Sequence, residues 1–449
     1  MKHEIKAEGQ MSSNTINAVE VMGVVLRAAS DVGRQQVTYE DIARGFPWNK
    51  PSGGLMSAQD FYGMTEAEGS SAAVKIDRQG HVRFLDSHEA GYTDEKGRCL
   101  VTGFPIMGDP DEPNPELVEF RDRILELQRR HGMRERATFP THRQALVPLV
   151  DHMTDLHYAV LAVVRAFHQA GISLDEARTS NGVMVFVSTT GRTNLGGLIG
   201  AAMNILGLSR SRWIVRHMNF GCAGLGAAIN EMATFMKAHE GLQLGVVVGT
   251  NSTSGSAMHP DITRTANEHP HPWAAATPWF FADGGSALIF ERCGQGRLTS
   301  CESSLPIELV DFMAGGSDFP LYAGNWQDAR YTMNAGVVAE VFFRAMMDNA
   351  EMLTRMWGVE SITEFMLIAI HQANFKLVRE LADMLDMLDR TLRTPDIGNT
   401  VCPSTGIVIS RAIEMRLVQP GDLIGQLVIG AGYGAQLANS GMIYLPRDA

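Results

Sequence analysis

The feature that most constrains the fold is an apolar segment that ends in a run of small residues around Cys222. Residues 213–218 are apolar and β-prone, and residues 227–239 repeat Ala, Ile, Met and Phe at helical spacing. Between them, residues 219–226 read Asn-Phe-Gly-Cys-Ala-Gly-Leu-Gly. This pattern predicts a strand, a tight turn and a helix. It therefore places Cys222 at the N-terminus of a helix.

Cys222 in this position has two interpretations. The unpaired N–H groups and the positive end of the helix dipole favour a thiolate, so we expect a nucleophilic cysteine near neutral pH. The small neighbouring residues would let a substrate carbonyl approach the sulfur. The alternative is a buried structural cysteine in a Gly/Ala-rich packing turn. A catalytic cysteine needs a partner side chain from elsewhere in the chain, which separates the two interpretations.

Two later segments offer such a partner. Residues 368–374 read Ile-Ala-Ile-His-Gln-Ala-Asn, an apolar strand that ends in polar residues and contains His371. Residues 398–400 read Gly-Asn-Thr, contain Asn399 and precede another turn that opens a helix. An isolated Asn in such a turn is usually only a turn former. Its place after His371 favours a catalytic role.

The segments Gly-Cys-Ala-Gly, His-Gln-Ala-Asn and Gly-Asn-Thr, in this order and at these separations, resemble the Cys-His-Asn triad of the β-ketoacyl-acyl carrier protein synthase III family, within the thiolase superfamily. The resemblance implies an α/β fold with a thiolase-like duplicated βαβαβ five-layered core and catalytic residues Cys222, His371 and Asn399. It covers residues 98–449, so residues 1–97 are predicted to be an N-terminal α+β extension. The two thiolase-like halves would then be residues 98–295 and 296–449.

Local patterns give the predicted elements of these regions. Residues 15–31 are predicted to form an amphipathic helix, and residues 73–77 and 81–85 a short hairpin. In the second half, residues 365–370 and 420–429 repeat the strands predicted at 182–187 and 241–248. The other predicted elements are the first core strand at residues 99–104, a helix at residues 116–130 and a helix at residues 155–170.

The resemblance also implies residues that contact substrate or carrier. Arg130 matches a family arginine that holds coenzyme A, whereas Glu126 replaces the tryptophan expected beside it. Gly196 or Leu195, in the loop of residues 189–197, stands where the family has a bulky residue that limits the acyl pocket, so a primer larger than acetyl is expected. Asn374 and Lys376 are assigned to substrate or carrier contact, with Lys376 facing an acidic carrier protein.

The oxyanion hole is expected to use two backbone N–H groups, those of Cys222 and Gly434. Gly434 belongs to the Gly-Ala-Gly-Tyr-Gly-Ala run at residues 430–435, which resembles the family's Gly-rich turn before its last strand. Preorganised donors of this kind stabilise the negative oxygen of a tetrahedral intermediate.

Composition excludes several other classes of protein. The formal net charge of -12 and the lack of a basic patch argue against nucleic-acid binding. Five cysteines without paired CxxC spacing predict neither a disulfide framework nor a zinc site, and Cys99, Cys293, Cys301 and Cys402 are expected to be buried or inert. No apolar run reaches the length of a membrane span, and residues 1–8 lack the apolar core of a secretion signal, so we expect a cytoplasmic protein. The loop histidines His259, His269 and His271 lack the usual metal-ligand spacing, and no metal or cofactor is predicted.

The expected reaction is a decarboxylative Claisen condensation of an acyl group on Cys222 with a malonyl- or β-ketoacyl-type thioester, in a specialised fatty-acid or polyketide pathway. The substrates would be acyl-coenzyme A or acyl carrier protein thioesters, and the family implies a homodimer. Two alternatives stay open. The same fold can pass an acyl group to an alcohol or amine, and the chain can be a non-catalytic partner subunit.

Overall fold

The fold is described from a computed structural model of the chain. The residues that it describes are 16–32, 36–38, 74–76, 82–84, 142–144, 155–189, 197–251, 284–304, 313–316, 330–333, 335–373, 375–394, 399–432 and 434–447. The predictions for residues 99–104 and 116–130 lie outside these ranges.

Strands and helices alternate between residues 182 and 251. The helices are α1 (Asp155–Gln169), α2 (Leu174–Thr179), α3 (Gly197–Leu206), α4 (Gly224–Ala238), α5 (Ala335–Trp357), α6 (Phe375–Met384) and α7 (Ser404–Glu414). The strands are β1 (Ile16–Val32), β2 (Gln36–Thr38), β3 (Val74–Ile76), β4 (Val82–Phe84), β5 (His142–Gln144), β6 (Gly182–Ser188), β7 (Trp213–Asn219), β8 (Leu244–Asn251), β9 (Gly284–Ser304), β10 (Met313–Gly316), β11 (Arg330–Met333), β12 (Leu367–Ile370), β13 (Leu423–Gly432) and β14 (Gly434–Ile443).

The core is a sheet in the order β12-β13-β14-β9-β8-β6-β7, with β1 paired to β9. Strands β6, β7 and β8 run parallel, as do β12 and β13, whereas β9 and β14 are antiparallel to their neighbours. Every residue of β6 is buried, as expected for a parallel strand covered on both faces. The first part of β9 pairs with β8 and its last part with β14, so β9 crosses the predicted boundary at residues 295–296 and joins the two halves.

The predicted helix at residues 15–31 is wrong, because this segment is the strand β1 and pairs antiparallel with β9 along its length. Val19 and Val21 are buried while Glu20 and Met22 are exposed, which is the two-residue period of a strand. Gly23 has a φ of 75° at a break in the register between Met22 and Val24, the conformation that a glycine supplies at a bulge. Residues 16–32 therefore belong to the core sheet. The hairpin of β3 and β4 is confirmed.

Alternate side chains of the strands enter different apolar clusters, which defines five layers. Odd-numbered valines of β6 pack with α4 and α7, and its even-numbered Met184 and Phe186 pack with α1 and α3. Leu367 and Ala369 of β12 likewise join the α4 and α7 cluster, whereas Ile368 and Ile370 pack with α5 and α6. The five layers are therefore α1 with α3, the part of the sheet around β6, α4 with α7, the part of the sheet around β12, and α5 with α6.

The two halves repeat one order of elements. In the first, β6 is followed by α3, β7, α4, β8 and β9; in the second, β12 is followed by α6, α7, β13 and β14, and β7 has no labelled counterpart among the described residues between α6 and α7. Helix α4 begins two residues after Cys222, and α7 begins two residues after Cys402. Cys402 therefore occupies in the second half the place that Cys222 has in the first.

Candidate active site

Cys222 lies in the turn between β7 and α4, as the sequence predicts. The turn closes through a hydrogen bond from the Gly224 N–H to the Gly221 carbonyl, and Ala223 caps the helix with a φ of -77° and a ψ of -5°. Helix α4 is buried along most of its length because its first turns consist of Gly, Ala and Leu. Cys222 itself is 8% exposed. The nucleophile candidate is thus held in the middle layer at the N-terminus of a buried helix.

The Cys222 turn is packed against the second half without room for an added carbon atom. A Cβ built on Gly430 of β13 would lie 2.7 Å from the Cβ and 3.0 Å from the Cα of Ala223, and closer still to the Ala223 nitrogen. A Cβ on Gly224 would lie 3.2 Å from the Cβ of Cys402. Glycine at these two positions lets the Cys222 turn, the α7 turn and β13 meet.

His371 follows directly after β12 and is buried in the same region. Its backbone N–H donates to the carbonyl of Leu427 in β13 over 3.0 Å. Leu427 precedes Gly430 by three residues in the same strand. Its ring Nδ1 lies 2.7 Å from the Oγ of Ser404, the first residue of α7. Burial lowers the pKa of His371 to about 3, so the imidazole is neutral at ordinary pH.

Asn399 lies at the start of the turn that leads into α7. Its Oδ1 accepts a hydrogen bond of 2.8 Å from the Val401 N–H. This bond fixes the orientation of the amide and leaves the Nδ2 N–H groups as its donors. Val401 has a φ of 61°, a strained conformation for a β-branched residue. Such strain is found where surrounding structure holds a backbone in a required shape.

These contacts bring the three predicted segments to one junction. His371 and Asn399 are each hydrogen-bonded to residues of the α7 turn, and that turn packs on the Cys222 turn through Cys402 and Gly224. The N-termini of α4 and α7 thus meet at the carboxyl end of β12.

The protonation state of Cys222 differs from the thiolate that the helix N-terminus alone predicts. Burial raises the pKa of the Cys222 thiol to about 12, against a smaller opposing effect of the backbone N–H of Cys222. Desolvation disfavours the charged form and outweighs the helix N-terminus here. Cys222 is therefore a thiol at neutral pH.

The structure adds two side chains to the site that the sequence analysis did not assign. Ser404 contacts the His371 ring, as described above. Gln372 donates from Nε2 to the Ile370 carbonyl over 2.8 Å and accepts on Oε1 from the Thr394 N–H over 3.0 Å. It ties the end of β12 to the segment that precedes Asn399. Nothing in a single sequence distinguishes these two polar residues from ordinary turn formers.

The other described cysteines differ in burial and in their contacts. Cys301 and Cys402 are buried, as expected, whereas Cys293 is exposed. The Sγ of Cys402 donates to the Thr250 carbonyl over 2.9 Å, and burial raises the pKa of its thiol to about 12. Cys99 lies outside the described residues.

The remaining predicted site residues are placed only in part. Gly434 begins β14 and pairs with Gly432 across the hairpin that continues from Gly430. Lys376 lies exposed on α6, with its Nζ 3.7 Å from the Glu380 Oε1. Arg130, Gly196, Asn374 and the loop that carries His259, His269 and His271 lie outside the described residues.

Within the described residues no group of three or more His, Cys, Asp or Glu side chains is arranged to hold a metal ion. Among the helices given above, none is both long and apolar enough to span a membrane.

Comparison with solved structures identifies the fold. The 3-oxoacyl-(acyl carrier protein) synthase III FabH of Xanthomonas oryzae aligns with a TM-score of 0.59 at 14% identity, covering 95% of this chain and 100% of that chain. The priming β-ketosynthase of the R1128 polyketide pathway aligns at 0.57 and 18% identity, covering 68% and 85%. Xanthomonas campestris OleA with bound lauric acid and lauroyl-CoA aligns at 0.57 and 16% identity, covering 73% and 94%. No protein-family model and no curated protein matches the sequence.

At these identities the similarity establishes the fold. The chain has the α/β thiolase-like fold of these synthase III and ketosynthase structures, which confirms the fold that the sequence resemblance implied. The function is a separate question, because one fold carries many chemistries.

Proposed function

We propose that the chain is a thiolase-superfamily enzyme that forms a carbon–carbon bond by decarboxylative Claisen condensation. The observation that carries the proposal is the junction of the Cys222, His371 and Asn399 segments at the N-termini of two buried helices. Each residue has the chemical type that its step requires. The sequence resemblance and the fold agree with this assignment.

The first step loads the acyl group. The Cys222 sulfur attacks the carbonyl carbon of an acyl thioester, and the carbon–sulfur bond to the carrier thiolate breaks. The proton of the Cys222 thiol passes to the leaving thiolate, so one thiol replaces another and no net charge is created. The N–H groups of Cys222 and Gly434 are proposed to bind the tetrahedral oxyanion, and one such donor typically lowers the barrier by roughly 3 kcal/mol.

The second step uses His371 and Asn399. When a malonyl thioester loses CO2, the electron pair of the broken bond moves into an enolate whose oxygen is negative. A neutral imidazole and an amide nitrogen can both donate hydrogen bonds to that oxygen. The enolate carbon then attacks the acyl-Cys222 carbonyl and expels the Cys222 thiolate, which takes up a proton. Because the pKa of His371 is lowered by burial, the residue stays a neutral donor over the working pH range.

The acyl donor is proposed to be longer than acetyl and to arrive as a thioester of coenzyme A or an acyl carrier protein, with the enzyme working as a homodimer. The OleA structure carries lauroyl-CoA, and the sequence resemblance places Gly196 or Leu195 of this chain where the family has a bulky residue. A specialised fatty-acid or polyketide pathway fits both features better than ordinary initiation with acetyl.

A screen of acyl-coenzyme A thioesters from acetyl to lauroyl, read by intact-mass spectrometry, tests the loading step. The wild-type chain should gain one acyl mass, Cys222→Ala should gain none, and Cys293→Ala should acylate like the wild type because Cys293 is exposed and outside the junction. Acylation that persists in Cys222→Ala would refute the assignment.

Addition of a malonyl thioester to the acylated enzyme then separates the alternatives. Condensation predicts release of CO2 and a β-ketoacyl product. Ester or amide formation on an added alcohol or amine without CO2 would instead favour the acyltransferase alternative. A chain that never acylates would fit the non-catalytic partner.

A further inference from the structure

The contact between Ser404 and His371 determines more than the position of the ring. Ser404 is buried as the first residue of α7, an 11-residue helix, and its Oγ lies 2.7 Å from the His371 Nδ1. A neutral imidazole carries its proton on one nitrogen and a lone pair on the other. Because Nδ1 contacts Ser404, the direction of this one hydrogen bond decides whether the other ring nitrogen, Nε2, carries the proton and can donate.

The electrostatics of the helix end favour one direction. The first turn of α7 presents unpaired backbone N–H groups and the positive end of the helix dipole. A hydroxyl there is most stable with its oxygen towards those groups and its hydrogen pointing away from the helix. The His371 Nδ1 lies at hydrogen-bonding distance from this hydroxyl, so the helix end favours the arrangement in which the Ser404 hydroxyl donates and Nδ1 accepts.

The same turn orients the second proposed donor. The Val401 N–H donates to the Oδ1 of Asn399 and so occupies the amide oxygen. The Nδ2 N–H groups of Asn399 are then left to donate. Residues 399–404 thus contain one hydrogen bond that sets the amide and another that sets the imidazole. Both bonds leave an N–H group, rather than a lone pair, for the substrate oxygen.

We propose that Ser404 is a positioning residue whose hydroxyl donates to the His371 Nδ1 and holds the ring proton on Nε2, so that His371 and Asn399 present two N–H donors to one thioester oxygen. The role of these donors in decarboxylation rests on the proposed function. The tautomer does not, and it can be measured without substrate.

The direct test is nitrogen-15 NMR of the full chain labelled at histidine, which separates a protonated from an unprotonated ring nitrogen. The His371 signals are identified among the 14 histidines by their loss in His371→Gln. We expect Nδ1 unprotonated and Nε2 protonated in the wild type, and a mixed or reversed tautomer in Ser404→Ala. A wild-type ring protonated on Nδ1 would overturn the proposal, whether or not the enzyme condenses thioesters.

Activity gives a second readout with a matched control. Loss of one hydrogen bond worth about 1.4 kcal/mol corresponds to about a tenfold fall in the rate of malonyl decarboxylation, while acyl loading of Cys222 should stay within about twofold. Ser410→Ala removes another buried hydroxyl from α7, the one that donates to Asp31 over 2.9 Å, and should change neither the tautomer nor the ratio of the two steps.

Two replacements guard against simple misfolding of Ser404→Ala. Ser404→Thr keeps the hydroxyl, and Ser404→Cys keeps a weak donor of similar size. Recovery of the Nε2–H tautomer in Ser404→Thr, with partial recovery in Ser404→Cys, supports the proposal. Unchanged tautomer and unchanged decarboxylation in a folded Ser404→Ala would overturn it.

Discussion

Gly430 offers a sharp test of how tightly the Cys222 turn is held, because its replacement by Ala inserts one methyl group against the backbone of that turn. The added Cβ would lie 2.7 Å from the Ala223 Cβ and 3.0 Å from the Ala223 Cα. Carbon atoms in contact normally lie roughly 3.5–4.0 Å apart, so the turn or the strand must move by roughly 0.8 Å or more. Since Ala223 contributes backbone rather than a flexible side-chain end, the movement falls on the residue next to Cys222.

The expected consequence is a large loss of acyl loading. A misplacement of about 1 Å in a reacting group costs about 100-fold in rate, so Gly430→Ala should acylate between about tenfold and 100-fold more slowly than the wild type. The assay is the rate of acyl-mass gain at Cys222, measured by quenched-flow intact-mass spectrometry with a saturating acyl-coenzyme A thioester.

Gly425→Ala on the same strand is the matched control. Its added Cβ would meet the far ends of core side chains, at 2.9 Å from the Phe365 Cδ1 and 3.0 Å from the Leu353 Cδ2, with Ile368 also in contact. Overpacking of this kind costs about 1–3 kcal/mol of stability, but it lies away from the Cys222 turn. We expect Gly425→Ala to melt earlier and to acylate at nearly the wild-type rate. Wild-type acylation in Gly430→Ala, or equal losses in both variants, would refute the reasoning.

Three further predictions follow from the junction. Cys222→Ala should abolish acylation, whereas His371→Ala should load an acyl group and release no CO2; equal loss of both steps in His371→Ala would show that the roles are misassigned. The folded pKa of His371, about 3, lies below its ordinary value of 6.5, so the unfolded chain binds more protons between these values and stability falls as the pH drops through them. Between pH 7 and 4.5 the free energy of unfolding in urea should fall by about 2.5 kcal/mol more for the wild type than for His371→Gln, and equal losses would contradict the shift. Gln372→Ala should lower the free energy of unfolding by about 1–3 kcal/mol, because it removes the side chain that bonds the Ile370 carbonyl and the Thr394 N–H. An unchanged thermal midpoint would argue against a stabilising role for these two hydrogen bonds.

The fold is predicted well from the sequence where the patterns are local. The strand, turn and helix around Cys222, the strand before His371 and the hairpin at residues 73–85 are all found. Each has a strong local signal, such as a continuous apolar run or a Gly-rich turn. The order of the three segments carries the resemblance from which the fold is inferred.

The failures share a physical cause, which is burial set by distant parts of the chain. Residues 16–32 contain apolar positions that fit a helix or a strand, and only pairing with β9 makes them a strand. Cys222 lies at a helix N-terminus as predicted, yet the layers above and below it remove water and raise the pKa of its thiol. The role of Ser404 depends on a ring 33 residues away in sequence, which a local pattern cannot reveal.

The central claim is that the junction of the Cys222, His371 and Asn399 segments both holds an acyl group and decarboxylates a malonyl thioester. A single-turnover experiment tests this claim most directly. Isolated acyl-Cys222 enzyme is mixed with a malonyl thioester, and the acyl mass on the protein, the CO2 and the β-ketoacyl product are measured in the same samples. The account predicts that one CO2 and one β-ketoacyl product appear for each acyl group lost. Loss of the acyl group to water, with neither CO2 nor a new carbon–carbon bond, would contradict it.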